Sequence, residues 1–455
     1  MVSIKLRYRE EAYLADHEFI TEIVNTSFQI VVVLLMYLFL IWKANRVFPV
    51  LYLFILIYFV QYIFSTHLIY FEYHELRYQM TIKADRYFDY AIPAFLSLFA
   101  GVVLFNKDVD IRESIKKIDP VQASQLGFYL LIISYAFDFV YWAGFTWLGS
   151  VVSFTGYLKY LASFCFLFSK SKTNYIFIAV VYLQLAAAVL TGGVFVLFYI
   201  WLMYLLFFIS LRFSLPFWVR FTFILFLVPI IVSIQAVKQE YRNETWSGKR
   251  EGGIQLLTDL VENERQEGKD ESYSQSKGVL STVGRLTQGW HLGLTLRHVP
   301  SKEPFSNGGE IISDITASIL PRVFFSDKKS VNSKDKFYKY TGHKLRGNTS
   351  MSIGILGDFY INFGKTGSFI ALFIFGAIIA RLLYYFMTKY VLPDPLNIIW
   401  IPLILTYLIR GNNDFYIFFN GMIKGFVLFL VVNYIRHRFW NHKAESGVLP
   451  KSIHS

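Results

Sequence analysis

Charged residues are scarce in this chain of 455 residues, and cysteine is almost absent. Charged side chains make up 17% of the sequence, compared with about 25% in soluble globular proteins. Hydrophobic residues reach 55% and aromatic residues 19%. This composition argues against a soluble multi-domain protein and favours an integral membrane protein with many apolar segments.

Several common kinds of site are missing as well. The lone Cys165 lies inside an apolar segment, which excludes disulfides within the chain and zinc clusters built on cysteine. The sequence contains no HExxH and no GxSxG motif. Gly364-Lys365-Thr366 resembles the end of a phosphate loop, but Phe359 stands where that motif needs glycine. We therefore expect no metal ion and no cofactor.

The formal charge of +12 does not predict nucleic-acid binding here, because much of the excess lies in short loops beside apolar segments. Such loops are typical of the cytoplasmic side of a membrane protein. Residues 1–23 form a leader of mixed charge. We expect no cleavable signal peptide, because this polar leader precedes a full-length apolar segment.

Apolar segments long enough to cross ~30 Å of hydrocarbon recur along the chain. They predict an all-α polytopic membrane protein with about eleven transmembrane helices, interrupted by one large polar loop at 235–365. Eight predicted spans fill residues 24–234, and three fill residues 366–435. The spans are 24–42, 47–71, 88–105, 126–147, 150–169, 175–192, 194–211, 216–234, 366–386, 397–410 and 415–435.

Positive charge in the short connections predicts the orientation. If the spans alternate, most basic connections and the tail 436–455 fall on one side, which is then the cytoplasm. The loop 235–365 falls on the other side, together with the N-terminus. For a bacterial inner membrane, this is the periplasm. The basic residues that set this side include Lys43, Arg46, Lys107, Arg112, Lys170, Lys172, Arg212, Arg220, Lys389 and Arg436.

Ionisable residues inside predicted spans suggest either an ion pair or a functional role. Asp138 and Lys159 occupy neighbouring spans, so we predict that they pair.

The long loop contains three segments with an apolar stripe at helical spacing. The first is one helix within 278–300, the second follows at 310–321, and the third covers 353–363. Asp358 and Asn362 lie one turn apart on a polar face of the third segment. Such short apolar helices are predicted to lie over the membrane bundle as a roof, and not to form a separate domain.

The order of these features resembles the bacterial oligosaccharide repeat-unit polymerases, known as the O-antigen polymerase family, and the related O-antigen ligases. The resemblance rests on many spans, one dominant external loop late in the chain, and an Ile-Leu-Pro-Arg element at 319–322 followed by Lys328. The segment GDFYINFGKTG at 357–367 leads into a span. The family often has glutamate where this chain has Asp358.

The resemblance implies a membrane glycosyltransferase of the C-type fold that acts on undecaprenyl-diphosphate-linked oligosaccharides in the periplasm. Its partners would be this lipid-linked substrate, the bilayer and a chain-length regulator, with no nucleic acid. Its product would be an O-antigen, capsule or exopolysaccharide. Energy would come from the activated lipid-linked donor, so neither ATP nor a redox cofactor is needed.

This reaction needs cations for the diphosphate leaving group and an acceptor for the proton of the attacking hydroxyl. The candidates are Arg285, Arg322, Asp358 and His298 for catalysis, and Arg297, Arg410, Lys328, Glu310, Tyr360 and Asn362 for substrate binding.

Each candidate also has an ordinary interpretation. A loop arginine often anchors to lipid phosphates or water, Asp358 fits a helix cap or a helix-to-helix hydrogen bond, and His298 fits a helix end. Tyr360 and Asn362 also suit structural roles. At the level of function, an O-antigen ligase, a transporter or flippase of lipid-linked sugar, and a non-catalytic assembly protein are the alternatives.

Overall fold

A computed structural model describes residues 26–44, 46–73, 79–145, 152, 154–192, 195–267, 277–319, 334–345 and 350–445. These residues form helices and turns, with no strand among them. The helices are α1 (Thr26–Lys43), α2 (Val50–Phe71), α3 (Ala84–Phe105), α4 (Arg112–Lys116), α5 (Pro120–Trp142), α6 (Leu158–Phe168), α7 (Asn174–Gly192), α8 (Phe195–Phe213), α9 (Phe217–Trp246), α10 (Ile254–Glu267), α11 (Lys277–Leu286), α12 (Gly289–His298), α13 (Gly309–Ile319), α14 (Lys334–Thr341), α15 (Gly354–Phe386), α16 (Ile401–Leu405) and α17 (Phe415–Glu445).

Eight described helices are long and apolar enough to cross a membrane. They are α1, α2, α3, α5, α7, α8, α15 with its continuation to Val391, and α17. Their length and composition support the prediction of an all-helical membrane protein. The predicted number of eleven spans and the C-type glycosyltransferase fold stay predictions.

Two of the predicted spans are shorter than a membrane-crossing helix. The predicted span 150–169 is broken by a turn at 156–157, and α6 after it has 11 residues. At 1.5 Å per residue α6 is roughly 16 Å long, about half of the hydrocarbon thickness. In place of the span 397–410, a 3-10 turn (Pro395–Trp400) leads into the five-residue α16. Both segments are buried, so their apolar composition reflects contact with protein.

Helices α3 and α15 pack with their backbones in contact. A Cβ atom added to Gly101 of α3 would lie 2.1 Å from the carbonyl oxygen of Phe373. One added to Gly376 of α15 would lie 2.5 Å from the carbonyl oxygen of Leu98. Small residues permit such close helix approach. This contact fixes α15, which carries Asp358 and Asn362.

The loop segment 278–300 forms two helices where the sequence pattern predicted one. The hydroxyl Oγ1 of Thr287 accepts a hydrogen bond from the backbone N–H of Gly289 at 3.0 Å and so starts α12 separately from α11. The N–H of Gln288 donates to the carbonyl of Gln61 in α2 at 2.9 Å. Tertiary contact with α2 therefore interrupts a continuous apolar stripe.

Helix α15 changes direction at Gly364, where φ is +68° and ψ is −171°. This conformation favours glycine, because a Cβ atom would be strained there. The segment 354–362 before the kink is buried, and the apolar span follows after it.

The predicted pairing inside the apolar segments is confirmed. The Lys159 ammonium of α6 lies 3.1 Å from the carboxylate of Asp138 in α5.

Candidate functional site

A buried lysine joins three aspartates from distant parts of the chain. The Nζ atom of Lys336 lies 2.7 Å from Asp358, 3.2 Å from Asp314 and 4.0 Å from Asp414. All four side chains are at most 5% exposed. We call this group the Lys336 cluster.

Helices α13 and α14 face each other through two polar pairs. Lys336 of α14 pairs with Asp314 of α13, and one turn away Tyr340 contacts Glu310. The Tyr340 hydroxyl donates to Oε1 of Glu310 at 3.0 Å. Lys339, which is half exposed, pairs with the same oxygen at 3.5 Å. The two short helices therefore place Glu310 one turn away from the buried cluster.

The aspartates of the cluster also organise the start of α17. Oδ2 of Asp358 accepts a hydrogen bond from the N–H of Phe415 at 2.6 Å. Oδ1 of Asp414 accepts one from the N–H of Ile417 at 3.0 Å. Carboxylates at a helix N-terminus satisfy free N–H groups and complement the helix dipole. The cluster thus ties α13, α14, α15 and α17 together.

The charge of Lys336 is stabilised within the cluster. Burial alone would lower the pKa of its ammonium, but Asp358, Asp414 and Asp314 together raise that pKa well above its ordinary value. The lysine is therefore protonated, and the ion pair with Asp358 occupies the carboxylate oxygen that the α17 backbone leaves available.

A turn at residues 410–413 lies directly before Asp414. Its shape is fixed by the N–H of Asn413, which donates to the carbonyl of Arg410 at 3.0 Å, and by the Asn413 side chain, which donates to the carbonyl of Tyr407. The Arg410 guanidinium lies 5.3 Å from the centre of the Tyr407 ring. Its Nε and Nη2 atoms are buried and donate no hydrogen bond within the described part of the chain.

A π-helical turn in α2, Phe59–Phe64, faces this arginine turn. The hydroxyl of Tyr62 donates to the carbonyl of Gly411 at 2.8 Å, and Oε1 of Gln61 packs against Gly411 so closely that no Cβ would fit there. Gln61 Oε1 and the Tyr58 hydroxyl are buried, and they have no hydrogen-bond partner among the described residues. Turns of this kind inside α-helices occur frequently at functional sites.

These contacts make the 410–413 turn a candidate anion site. Buried polar groups are nearly always hydrogen-bonded in native proteins, and a buried guanidinium without an acceptor is costly. A planar guanidinium binds phosphate or carboxylate through two parallel hydrogen bonds. The Arg410 turn can therefore hold an anion, with carbonyl and hydroxyl groups nearby for a polar ligand.

Three predicted substrate or catalytic residues make contacts within the fold, and their predicted roles stay predictions. Asp358 forms the helix-to-helix hydrogen bond that was its alternative interpretation, and both of its oxygens are engaged. The Tyr360 hydroxyl donates to the carbonyl of Val299 at 3.1 Å. Asn362 donates to the carbonyl of Asp358, and its own Oδ1 accepts from the N–H of Ile311 at 3.4 Å, which anchors α13.

The other predicted residues lie in different places. Arg297 is exposed at the end of α12, and His298 packs against Gly342 just after α14. Arg285 donates to Gln239 of α9 at 3.4 Å. No described contact joins these residues to the Lys336 cluster. Arg322 and Lys328 lie outside the described residues.

The model of a family described as "Domain of unknown function (DUF8712)" matches residues 21–439. The chain belongs to this family. The matched range includes every described residue of the Lys336 cluster and the Arg410 turn. No curated protein and no solved structure matches the chain.

Sequence reasoning missed Lys336, Asp314 and Gln61. Lys336 lies in the stretch KDKFYKYTGHK, where charge predicts a solvated helix, and Asp314 lies in an otherwise ordinary amphipathic helix. One signal could have found the lysine: Phe337 and Tyr340 follow it at a helical spacing of three residues, which predicts a buried apolar stripe beside it. Gln61 stands in an apolar span, where a polar side chain is unusual.

Proposed function

We propose that this protein is a membrane glycosyltransferase that polymerises undecaprenyl-diphosphate-linked oligosaccharide repeat units into a surface polysaccharide. The observation that carries the proposal is the Arg410 guanidinium, whose buried Nε and Nη2 atoms lack an acceptor in the described residues. A lipid diphosphate would supply that acceptor. The sequence pattern of the loop, which resembles the O-antigen polymerase family, supports the same chemistry.

In the proposed reaction, a hydroxyl oxygen of the acceptor sugar forms a bond to the anomeric carbon of the donor. The bond from that carbon to the diphosphate breaks, and the diphosphate leaves with the electron pair. Arg410 would stabilise the negative charge that develops on the leaving oxygen. The hydroxyl proton passes to a base. All atoms are accounted for without a further reactant.

Among Glu310, Asp358 and His298, each of which has a side chain that can accept a proton, we propose Glu310 as the base. Asp358 is unsuitable, because Lys336 and the Phe415 N–H occupy its oxygens. Glu310 pairs with Lys339, whose side chain is 48% exposed, so the acceptor sugar can approach from the surface of α13. His298 lies near the same end of α14 and is the second candidate. We assign Asp358 to positioning the Arg410 turn through α17.

We further propose that the site faces the periplasm of a bacterial inner membrane. Support comes from the basic connections on the opposite side of the predicted spans. A chain-length regulator is a proposed partner on that face.

Purified protein in detergent with lipid-linked repeat units tests this function. A ladder of longer lipid-linked chains is the expected product. Transfer to lipid A core would instead identify a ligase, and no glycosidic product at all would contradict the enzyme and favour transport of the lipid-linked sugar.

Replacement of Arg410 tests the role of its guanidinium. Arg410→Ala should lower chain extension by about 100- to 1000-fold, the loss typical when one preorganised oxyanion donor is removed. Arg410→Lys should remain strongly impaired, because one ammonium does not reproduce the planar fork. Arg438→Ala is the matched control, since Arg438 is exposed and donates to Tyr434 on α17. Equal activity of the Arg410 and Arg438 variants would remove Arg410 from the mechanism.

A further inference from the structure

A glutamine and a tyrosine of α2 lie next to the Arg410 turn, and each has a polar atom without a hydrogen bond to a described residue. Gln61 belongs to the π-helical turn Phe59–Phe64, and Tyr58 directly precedes that turn. Tyr58 is fully buried, and its hydroxyl has no hydrogen-bond partner among the described residues. The same holds for the buried Oε1 atom of Gln61. Two polar groups that are costly to bury therefore lie within one turn of the same helix.

Both residues are held against the turn that carries Arg410. Oε1 of Gln61 lies 2.0 Å from the position that a Cβ atom would take on Gly411, so only glycine leaves room for it. The ring centre of Tyr58 lies 5.5 Å from that of Tyr62, whose hydroxyl donates to the Gly411 carbonyl at 2.8 Å. Gln61 thus contacts the residue that follows Arg410, and Tyr58 packs against the tyrosine that holds this residue in place.

The hydrogen-bonding chemistry of Gln61 complements that of Arg410. A guanidinium has only N–H donors and suits an anion, whereas an amide oxygen such as Oε1 only accepts hydrogen bonds. An ionised diphosphate offers no donor, so it does not satisfy Oε1. A sugar bonded to that diphosphate does, because its hydroxyl groups donate hydrogen bonds. The Tyr58 hydroxyl both donates and accepts, so it suits the same ligand.

We propose that Gln61 and Tyr58 bind hydroxyl groups of the first sugar attached to the diphosphate that Arg410 holds. This inference rests on the proposed function, in which the Arg410 turn binds the leaving group. The two α2 residues would distinguish a glycosylated lipid diphosphate from a bare one. They would therefore favour the substrate over the carrier lipid that is left after transfer.

Binding of two lipids to the full-length protein in detergent tests the proposal. One is undecaprenyl diphosphate. The other is undecaprenyl diphosphate that carries only the first sugar of the repeat unit, so that no complete unit is available for chain extension. Native mass spectrometry measures the affinity for each lipid. Wild type should bind the glycosylated lipid about tenfold more tightly, as expected for one or two additional hydrogen bonds.

Variants show which residues recognise the sugar. Gln61→Leu and Tyr58→Phe should each lower the affinity for the glycosylated lipid about three- to tenfold and leave the affinity for the bare lipid unchanged. Arg410→Ala should weaken the binding of both lipids equally, because it removes the contact with the diphosphate that they share. Gln184→Leu is the matched control, since Gln184 is exposed on α7 and its Oε1 accepts a hydrogen bond from Tyr135.

The unfolding temperature of the free protein separates a binding role of Gln61 from a structural one. Gln61→Leu removes a buried acceptor that has no partner in the described residues, so the variant should be at least as stable as wild type in detergent. A lower unfolding temperature would mean that the fold itself uses this amide, which contradicts the proposal.

Two binding results would also overturn the proposal. In the first, wild type binds the two lipids with equal affinity. In the second, the preference for the glycosylated lipid survives in Gln61→Leu, whereas a preference that survives only in Tyr58→Phe removes Tyr58 from the site. In these cases the bare lipid still binds, and the ladder assay still decides whether the protein is the proposed enzyme. If neither lipid binds to wild type, Arg410 holds no diphosphate and the proposed function fails as well.

Discussion

Lys336 is the residue on which the packing of four helices depends. Replacement by methionine would remove the cation and leave Asp358, fully buried, without its ion pair. Breaking a buried pair by removal of one partner typically destabilises a protein by about 3–5 kcal/mol. We therefore expect Lys336→Met to lower the thermal unfolding temperature strongly in detergent.

Lys339→Met provides the comparison. Lys339 lies one turn away on α14, but its side chain is 48% exposed and its pairs with Glu303 and Glu310 are open to solvent. Exposed ion pairs contribute about 0–1 kcal/mol. If both variants unfold at the same temperature, the Lys336 cluster does not organise the fold.

His291 predicts a dependence of stability on pH. Burial, and secondarily the nearby His343, lowers the pKa of His291 to about 4 in the folded protein, whereas the unfolded value is about 6.5. Below pH 6.5 the unfolded chain binds a proton that the folded protein does not. The stability that His291 contributes is thus present above pH 6.5 and falls by up to about 3 kcal/mol as the pH drops to 4.

The measurement is the unfolding temperature between pH 5 and 6.5, for wild type and His291→Gln. Glutamine can keep the contact with Gln288, which lies 3.0 Å from Nδ1 of His291. The variant should lose less stability across this window. Parallel curves for the two proteins would show that His291 does not titrate on unfolding.

At the residue scale, sequence patterns predict Asp358 and Arg410 as site residues but do not predict the contacts that these side chains make. Asp358 belongs to the Lys336 cluster, and Arg410 lies in the turn directly before Asp414. The ion pair that engages Asp358 was not predictable, because Lys336 and Asp314 come from segments whose amphipathic patterns are ordinary. Which loop helix meets which span depends on tertiary packing, and local spacing carries no information about it.

At the scale of the element, the kink in α15 separates the buried segment 354–362 from the apolar span that follows it. Gly364→Ala would place a Cβ atom 3.5 Å from the ring of Phe305, an ordinary contact, so its cost is mainly the positive φ of +68°. We expect a loss of about 1–2 kcal/mol. A lower unfolding temperature in detergent would show it.

Gly253→Ala is the matched control for this prediction. Gly253 has no positive φ, and nothing lies within 4 Å of an added Cβ. The control should keep the unfolding temperature of the wild type. A Gly364 variant as stable as the control would mean that α15 tolerates a straight path through this residue.

Helical periodicity predicted the existence of the loop helices better than their boundaries. The second segment, which we expected to open at Glu310, matches α13, which begins at Gly309. The first loop segment, 278–300, is divided into two helices by the contact between Gln288 and α2. The spacing of apolar residues does not encode that contact. Likewise, the hydropathy of residues 150–169 predicts a full-length span and does not encode that α6 has 11 residues, nearly all of them buried.

At the scale of the whole molecule, composition sufficed to predict a helical membrane protein, because long apolar segments permit few other structures. Composition does not predict the orientation of the protein in the membrane, because orientation depends on the distribution of Lys and Arg in the short connections. Both the proposed enzyme and its periplasmic site need the 235–365 loop on the side opposite to those connections.

The single cysteine makes that orientation directly testable. Cys165 is fully buried, so it should give little background with a membrane-impermeant maleimide. Ser247→Cys, at an exposed position after α9, should react in intact spheroplasts. Lys170→Cys, exposed between α6 and α7, should react only after the membrane is permeabilised. The reverse pattern would place the loop in the cytoplasm, where the proposed periplasmic polymerisation could not occur.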